Sequence, residues 1–294
     1  MLQLGVIGYH QEEIYQLRKL QNYFQVNRIY DLNYPKFDLP EIKSSSKEVI
    51  DNSDCIYFTS ILIYFDDACY AIKKGKPIFI NNLLSLDSTQ VNTLFQLSTE
   101  AESIIQLNSP LRFKKITQSI SNNFRAPNLI NLQRTFIDED HTNATLQEIL
   151  FYEIENIISL IKAKVRKTYS FLIPEDGFEI ETIDARLEFD NGCVTTLLIS
   201  SIYDAPRHTL KLFNNKSLTC LDFEANKIHL KNEFEQETLE FEKQSAQTKQ
   251  EEIFKAQLNN FHESIVKNIL PAVSIEDGLQ AFYITKEIIA KLVH

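Results

Sequence analysis

The residues best placed to do chemistry begin at the first turn of the chain. Leu2–Ile7 is typical of a short buried strand, and Gly8 follows where such a strand would turn into a helix. The dinucleotide-binding pattern G-x-G-x-x-G, counted from Gly8, requires glycine at positions 10 and 13. The chain has His10 and Glu13 there, and a carboxylate at a helix N-terminus repels a diphosphate. The turn therefore predicts a nucleotide-binding fold in which only the first glycine is present.

Asp31 is a second candidate contact for a cofactor. It follows a predicted strand over residues 25–30, where an acidic residue would hold the hydroxyls of an adenosine ribose. An aspartate that begins a loop is also common turn chemistry. His10 similarly either lies beside ligand phosphates or occupies a turn that binds nothing. Both interpretations stay open for each residue.

Alternating strands and helices must position these residues. Apolar spacing predicts helices over residues 11–24, 65–74 (with Gly75 as C-cap) and 87–101 (with Asp87 as N-cap), and further strands over 55–59, 77–80 and 103–107. Strands separated by helices predict a parallel sheet. The stretch 33–53 contains two prolines and a serine run, which predicts an irregular, shortened crossover.

In the second half of the chain the period at which apolar residues recur is different. A strand over 129–137 and an apolar helix over 145–162 precede strands over 184–189, 194–200, 208–213, 217–223 and 227–231. The charged run 233–249 predicts a solvated edge or loop, and two helices, about 249–268 and 274–293, close the chain. We therefore predict an α/β fold: a Rossmann-like parallel-sheet domain over 1–120, and an α+β domain with a large open, mostly antiparallel sheet over 121–294. The closing helices are candidates to pack back on the first domain.

Composition excludes several functional classes. The net charge of −10 argues against a nucleic-acid-binding surface, which needs a concentrated basic face. The four cysteines form no C-x-x-C pair, and no metal-ligand spacing, Walker lysine, G-x-S-x-G or H-E-x-x-H motif occurs, so no metal is expected. A missing leader and the lack of an apolar run of transmembrane length predict a cytoplasmic protein without a membrane partner.

Four fragments, in this order, resemble the Gfo/Idh/MocA family of NAD(P)-dependent oxidoreductases over nearly the whole chain. They are DCIYFTS at 54–60, AIKKGKPIFI at 71–80, NSPLRF at 108–113 and VSIEDGL at 273–279. The resemblance implies NAD or NADP as cofactor, if one is bound at all, and places Gly8, His10, Asp31 and Ser60 at its site. In the family, the strand within the first of these fragments is followed by Pro-Asn-x-x-His. That motif is replaced here, with Phe65 at the histidine position.

The resemblance also implies where the catalytic groups would lie. The family's Glu-Lys-Pro corresponds to Asn81, Asn82 and Leu83, and an amide can hydrogen-bond a substrate hydroxyl but cannot titrate. As an alternative, Asn81 and Asn82 are polar turn residues that follow a strand. Arg112, in the third fragment, either binds an anionic substrate or makes a structural salt bridge.

The family helix that carries Asp, His and Asp corresponds to Glu148, Tyr152 and Glu155. Their spacing puts all three on one helix face. Tyr152, at the histidine position, is a poor base near neutral pH. A polar stripe of this kind is also what the solvated face of a helix looks like.

We therefore hypothesise an oxidoreductase-like protein for a sugar- or polyol-like substrate, with a degraded active site in which Asn82, Tyr152 and Glu155 are the positional equivalents of catalytic residues. Asn81, Arg112 and Glu148 would line the substrate pocket. The alternative is a non-catalytic binding, sensor or assembly protein that keeps the oxidoreductase fold. Either hypothesis predicts a homo-oligomer formed through the C-terminal sheet.

Overall fold

The structure is a computed structural model that describes residues 1–8, 17, 23–32, 45–81, 83–121, 127–136, 143–174, 180–201, 205–242 and 245–291. By its internal contacts the chain divides into two compact units. The first is Met1–Ser109 with Ala246–Leu279, and the second is Pro110–Ser245 with Gln280–His294. Each unit is built on one β-sheet.

The first unit contains a five-stranded parallel sheet. Its strands are β1 (Leu2–Ile7), β2 (Phe24–Tyr30), β3 (Cys55–Phe58), β4 (Ile78–Ile80) and β5 (Ile105–Leu107), in the order β2-β1-β3-β4-β5. The three short strands β3, β4 and β5 are buried along their whole length. Continuous apolar runs of this kind suit a parallel sheet that is covered on both faces. The predicted Rossmann-like sheet is confirmed.

Three helices of the first unit are α1 (Ser46–Asp51), α2 (Phe65–Lys73) and α3 (Ser88–Glu100). Asp87 is the N-cap of α3, and it forms a reciprocal capping box with Gln90, as its sequence position predicts. Residues 33–44 of the stretch predicted to be irregular lie outside the described residues. Helix α1 corrects the prediction for the remainder, because the end of the serine run leads into a helix that buries Val49 and Ile50. Most of the predicted helix 11–24 lies outside the described residues, and Phe24 belongs to β2.

The second unit contains an eight-stranded sheet. Its strands are β6 (Leu129–Thr135), β7 (Val165–Pro174), β8 (Ile180–Phe189), β9 (Val194–Ser200), β10 (Arg207–Asn214), β11 (Ser217–Asp222), β12 (Lys227–Asn232) and β13 (Gln236–Glu240), in the order β13-β12-β11-β10-β6-β9-β8-β7. Among the strands that the structure describes in this unit, only β6 and β9 pair in parallel. Burial alternates along β9 and β10, so one face of the sheet faces a core. The predicted mostly antiparallel sheet is confirmed, and β13 is exposed throughout, as expected of a solvated edge.

Four more helices complete the described fold: α4 (Lys115–Ser121), α5 (Asn143–Ile161), α6 (Ala246–Lys267) and α7 (Ile275–Ala290). Helix α6 belongs to the first unit. Its Leu258 and Phe261 are buried in one cluster with Leu4 and Tyr57, residues of β1 and β3. None of the described helices is long and apolar enough to cross a membrane.

Candidate functional site

The carboxyl ends of β1, β2 and β3 bring Gly8, Asp31 and Thr59 to one edge of the first sheet. The strand order reverses between β1 and β3, and ligands of open α/β sheets bind at such a switch point. The Gly8 N–H donates to the Tyr30 carbonyl over 2.7 Å, and the Thr59 N–H donates to the Ile7 carbonyl over 3.0 Å. The backbone at this edge is therefore tied together across all three strands.

Gly8 is held at a position that admits no side chain. Its φ of +96° lies in the region that favours glycine. A Cβ atom there would lie 1.9 Å from Thr59 Oγ1 and 3.1 Å from Tyr64 Cε2. Gly8 thus has the backbone conformation that the first glycine of a dinucleotide motif adopts, and Thr59 and Tyr64 pack directly against it.

Asp31 is buried beneath an aromatic side chain. It is 7% exposed, and its Oδ2 accepts a hydrogen bond from the Tyr64 hydroxyl over 3.2 Å. The same hydroxyl accepts the Leu32 N–H over 3.3 Å. The Tyr64 ring meets the Tyr30 ring edge to face, with centroids 6.2 Å apart. Sequence reasoning missed Tyr64, because nothing in the local pattern shows that this side chain reaches the end of β2.

Asn81 links the ends of two neighbouring strands. Its Oδ1 accepts a hydrogen bond from the Tyr57 hydroxyl over 3.3 Å, and its Nδ2 donates to the Thr59 carbonyl over 3.2 Å. The amide therefore joins β4 to β3 on both its polar atoms. Ser60, which follows Thr59, is half-buried. His10, Glu13 and Asn82 lie outside the described residues, so their predicted roles stay predictions.

In the second unit, α5 carries the three residues predicted to share a face. The Tyr152 hydroxyl donates to Glu148 Oε1 over 3.2 Å, as expected for side chains four residues apart on a helix. Glu155 is 2% exposed, and its Oε1 accepts a hydrogen bond from Arg112 Nη1 over 2.7 Å. Arg112 therefore makes a salt bridge within the chain, and its predicted contact with an anionic substrate stays a prediction.

Beside this face lies a buried charged cluster that sequence reasoning missed. Glu153 is fully buried, with Arg134 Nη1 of β6 at 2.7 Å and His208 Nε2 of β10 at 2.9 Å from its Oε1. The His208 ring stacks on Phe223, with centroids 4.1 Å apart. A glutamate inside the apolar stripe of α5 was the available signal, since a buried charge requires a partner.

The protonation states in this cluster follow from burial and charge. Burial alone would raise the pKa of Glu153, yet the neighbouring His208 and Arg134 lower it to about 2. Burial lowers the pKa of His208, and the nearby cations Arg134 and Lys114 act in the same direction against the attraction of Glu153. His208 is therefore neutral, and the permanent charge of Arg134 keeps Glu153 ionised. The cluster is an ion pair with a stacked neutral imidazole beside it.

No protein-family model and no curated protein sequence matches this chain. Solved structures match it over nearly its whole length. A UDP-N-acetylglucosamine 3-dehydrogenase from Acidithiobacillus ferrooxidans has a TM-score of 0.86 at 15% identity, covering 98% of this chain and 97% of that chain. The chain has the Gfo/Idh/MocA-type dehydrogenase fold.

Two further structures of this Gfo/Idh/MocA-type fold also match nearly the whole chain. A dehydrogenase from Clostridium difficile has a TM-score of 0.82 at 16% identity, covering 99% of each chain. An NAD binding oxidoreductase from Klebsiella pneumoniae has a TM-score of 0.83 at 12% identity, covering 99% of this chain and 96% of that chain. The fold inferred from four short fragments of the sequence is confirmed. At these identities the likeness concerns the fold, and the roles of individual residues must be argued from their own surroundings.

Those surroundings include no metal centre in the described part of the chain. Within it, no three His, Cys, Asp or Glu side chains come together as a set that could hold a metal ion. Cys55, Cys69, Cys193 and Cys220 are not joined in disulfides, and burial raises the pKa of each thiol above its ordinary value. Thiols of this kind are poor nucleophiles.

Proposed function

We propose that this protein is a degenerate oxidoreductase of the Gfo/Idh/MocA type, which has kept the two-domain fold and lost hydride transfer between NAD(P) and a sugar- or polyol-like substrate. The observation that carries the proposal is the pairing on the α5 face. Tyr152 is hydrogen-bonded to Glu148, and the buried Glu155 is paired with Arg112. A general base must be able to take a proton near neutral pH, and a tyrosine or an arginine-paired carboxylate does not meet that requirement.

The edge of the first sheet formed by the carboxyl ends of β1, β2 and β3 supports the same proposal. The dinucleotide that the fold implies would need Asp31 open to its adenosine ribose. Asp31 is instead buried and accepts a hydrogen bond from Tyr64. Gly8 therefore keeps the conformation of the motif's first glycine, but the described residues around it do not fit the adenosine half of a dinucleotide.

Titration calorimetry of the purified chain with NAD⁺, NADH, NADP⁺ and NADPH tests the proposal. We expect dissociation constants weaker than about 1 mM for all four, because the carboxylate that should receive the ribose is already bonded within the chain. A catalytically active dehydrogenase of the same fold serves as the positive control. Micromolar binding of any of the four, or dinucleotide reduction with a sugar substrate, would contradict the proposal.

A second candidate function, assembly through the C-terminal sheet, is favoured by the surface of β7. Tyr169, Phe171 and Ile173 alternate along this edge strand and are 49%, 68% and 40% exposed. Apolar side chains repeated on one face of an edge strand are typical of an interaction surface. A second copy of this chain is the occupant that we expect, which would make the protein an assembly component without catalysis.

Phe171→Glu tests this candidate. We expect the unmodified chain to have at least twice its chain mass of 34.2 kDa in light scattering, and the variant to return to the single-chain mass, because a carboxylate cannot be buried unpaired at an interface. Phe234→Glu is the matched control, since Phe234 is 89% exposed in the loop between β12 and β13. A monomeric unmodified chain, or an oligomer that Phe171→Glu leaves intact, would argue against assembly through β7.

A further inference from the structure

Tyr64 fills the space above the carboxyl ends of β1 and β2. It is the N-cap residue of α2 and is 4% exposed. Its Cε2 atom is within 3.1 Å of the point where a Cβ on Gly8 would lie, and its ring meets that of Tyr30. The ring is therefore packed into the first sheet's switch-point edge rather than lying free on the surface.

The hydroxyl of Tyr64 makes the contact that a ribose would make. A ribose hydroxyl binds the aspartate at this place in the fold by donating a hydrogen bond to its carboxylate. The Tyr64 hydroxyl donates the same kind of bond to Asp31 Oδ2, over 3.2 Å. It is held in place by the Leu32 N–H, which donates to its oxygen. The Tyr64 hydroxyl thus lies where the hydroxyl of a bound ribose would donate its hydrogen bond.

This contact persists over the usual range of pH. Burial raises the pKa of Tyr64 to about 12, and the nearby charge of Asp31 adds to the effect. The phenol therefore keeps its proton and continues to donate at neutral and moderately alkaline pH. A competing ribose therefore has to displace a hydrogen bond to a charged acceptor.

We infer that Tyr64 occupies the subsite in which the ribose of an adenosine ligand would contact Asp31, and that it thereby excludes adenosine-containing ligands from this edge of the sheet. The inference rests on the proposed function in one respect, since it takes Asp31 as the ribose-binding position of a catalytic ancestor. The inference goes further than the proposed function in two ways. It names Tyr64 as the side chain responsible, and it requires that the subsite bind a ribose once Tyr64 is shortened.

Adenosine binding to Tyr64→Ala, measured by calorimetry, is the direct test. Adenosine carries no phosphate, so the test does not require a turn that can bind a diphosphate. We expect Tyr64→Ala to bind adenosine about tenfold or more tightly than the unmodified chain does, the ratio that corresponds to a hydrogen bond to a charged group. The gain should be absent with 2′,3′-dideoxyadenosine and in the double variant Tyr64→Ala/Asp31→Asn.

Tyr70→Ala is the matched control. Tyr70 lies on α2, and its hydroxyl also donates to an aspartate, the exposed Asp51, over 3.0 Å. This variant should bind adenosine no better than the unmodified chain. Circular dichroism reports whether each variant is folded. If Tyr64→Ala is unfolded, Tyr64→Leu replaces it, because leucine keeps apolar contacts and lacks the hydroxyl.

Two results would overturn the inference. One is adenosine binding to the unmodified chain as tight as to Tyr64→Ala. The other is a folded Tyr64→Ala or Tyr64→Leu that gains no adenosine binding, or gains it equally for the dideoxy analogue. The second result would not contradict the proposed function, which requires only that the unmodified chain does not bind dinucleotides. Binding or reduction of a dinucleotide by the unmodified chain would instead refute the proposed function itself.

Discussion

Replacing Glu153 with glutamine is expected to lower the free energy of unfolding by about 3 kcal/mol. The carboxylate is fully buried and lies 2.7 Å from Arg134, whose side chain is 25% exposed. The amide keeps the shape but removes the charge, so Arg134 is left in a largely buried position without its counter-ion. Since the sequence contains no tryptophan, urea unfolding is best followed by circular dichroism.

Glu148→Gln is the matched control for this prediction. Glu148 is a half-buried glutamate on the same helix, and the amide can still accept the hydrogen bond from Tyr152. The free energy of unfolding of Glu148→Gln should differ from that of the unmodified chain by no more than about 0.5 kcal/mol. Replacing both charged partners, as in Arg134→Met/Glu153→Leu, should recover much of the loss, because apolar pairs of similar volume replace buried ion pairs well. A Glu153→Gln variant as stable as Glu148→Gln would show that the ion pair contributes little.

Phe261→Ala is expected to cost about 3–5 kcal/mol, the largest packing effect that we predict. Phe261 of α6 is fully buried, and its ring contacts those of Phe24 and Phe79, with centroids 6.1 and 5.8 Å away. Removing the ring leaves a cavity between α6 and the first sheet, although more than a hundred residues separate them in the sequence. The same urea experiment measures the loss.

Phe234→Ala is the control for Phe261→Ala. Phe234 is 89% exposed, so truncating it should change the free energy of unfolding by no more than about 0.5 kcal/mol. Equal losses in the two variants would mean that α6 does not contribute to the core of the first unit in solution. A large loss in Phe261→Ala alone would establish that the first unit needs a segment from near the end of the chain.

The buried ion pair also bears on function. Glu153 follows Tyr152 directly, and its salt bridge with Arg134 ties α5 to β6, with His208 of β10 lying beside it. The helix is therefore held firmly, while the face that carries Glu148, Tyr152 and Glu155 has a tyrosine where the family resemblance implies a histidine base. A well-built scaffold with substituted chemical positions is what we expect of a degenerate enzyme, since folding selects for the core and only catalysis selects for the site.

Much of the fold could be predicted from the sequence by itself. Strand and helix order came from apolar periodicity and local signals such as the Asp87 capping box, which depend on neighbouring residues only. The four fragments and their order then predicted the fold. Strand β7 and the first residues of β8 were not predicted, since the pairing between them makes them strands. The short helix α1 was missed because a serine run favours a turn.

The candidate site was decided by the tertiary structure. The sequence placed Asp31 at the end of β2 and left open whether it binds a ribose or forms a turn. Only the packing of α2 against the strand ends showed that Tyr64, 33 residues away, bonds to it. Periodicity likewise put Glu155 on a helix face without revealing Arg112, 43 residues away, as its partner. Local pattern determines which face a side chain lies on, whereas the partner it meets there depends on how distant elements pack.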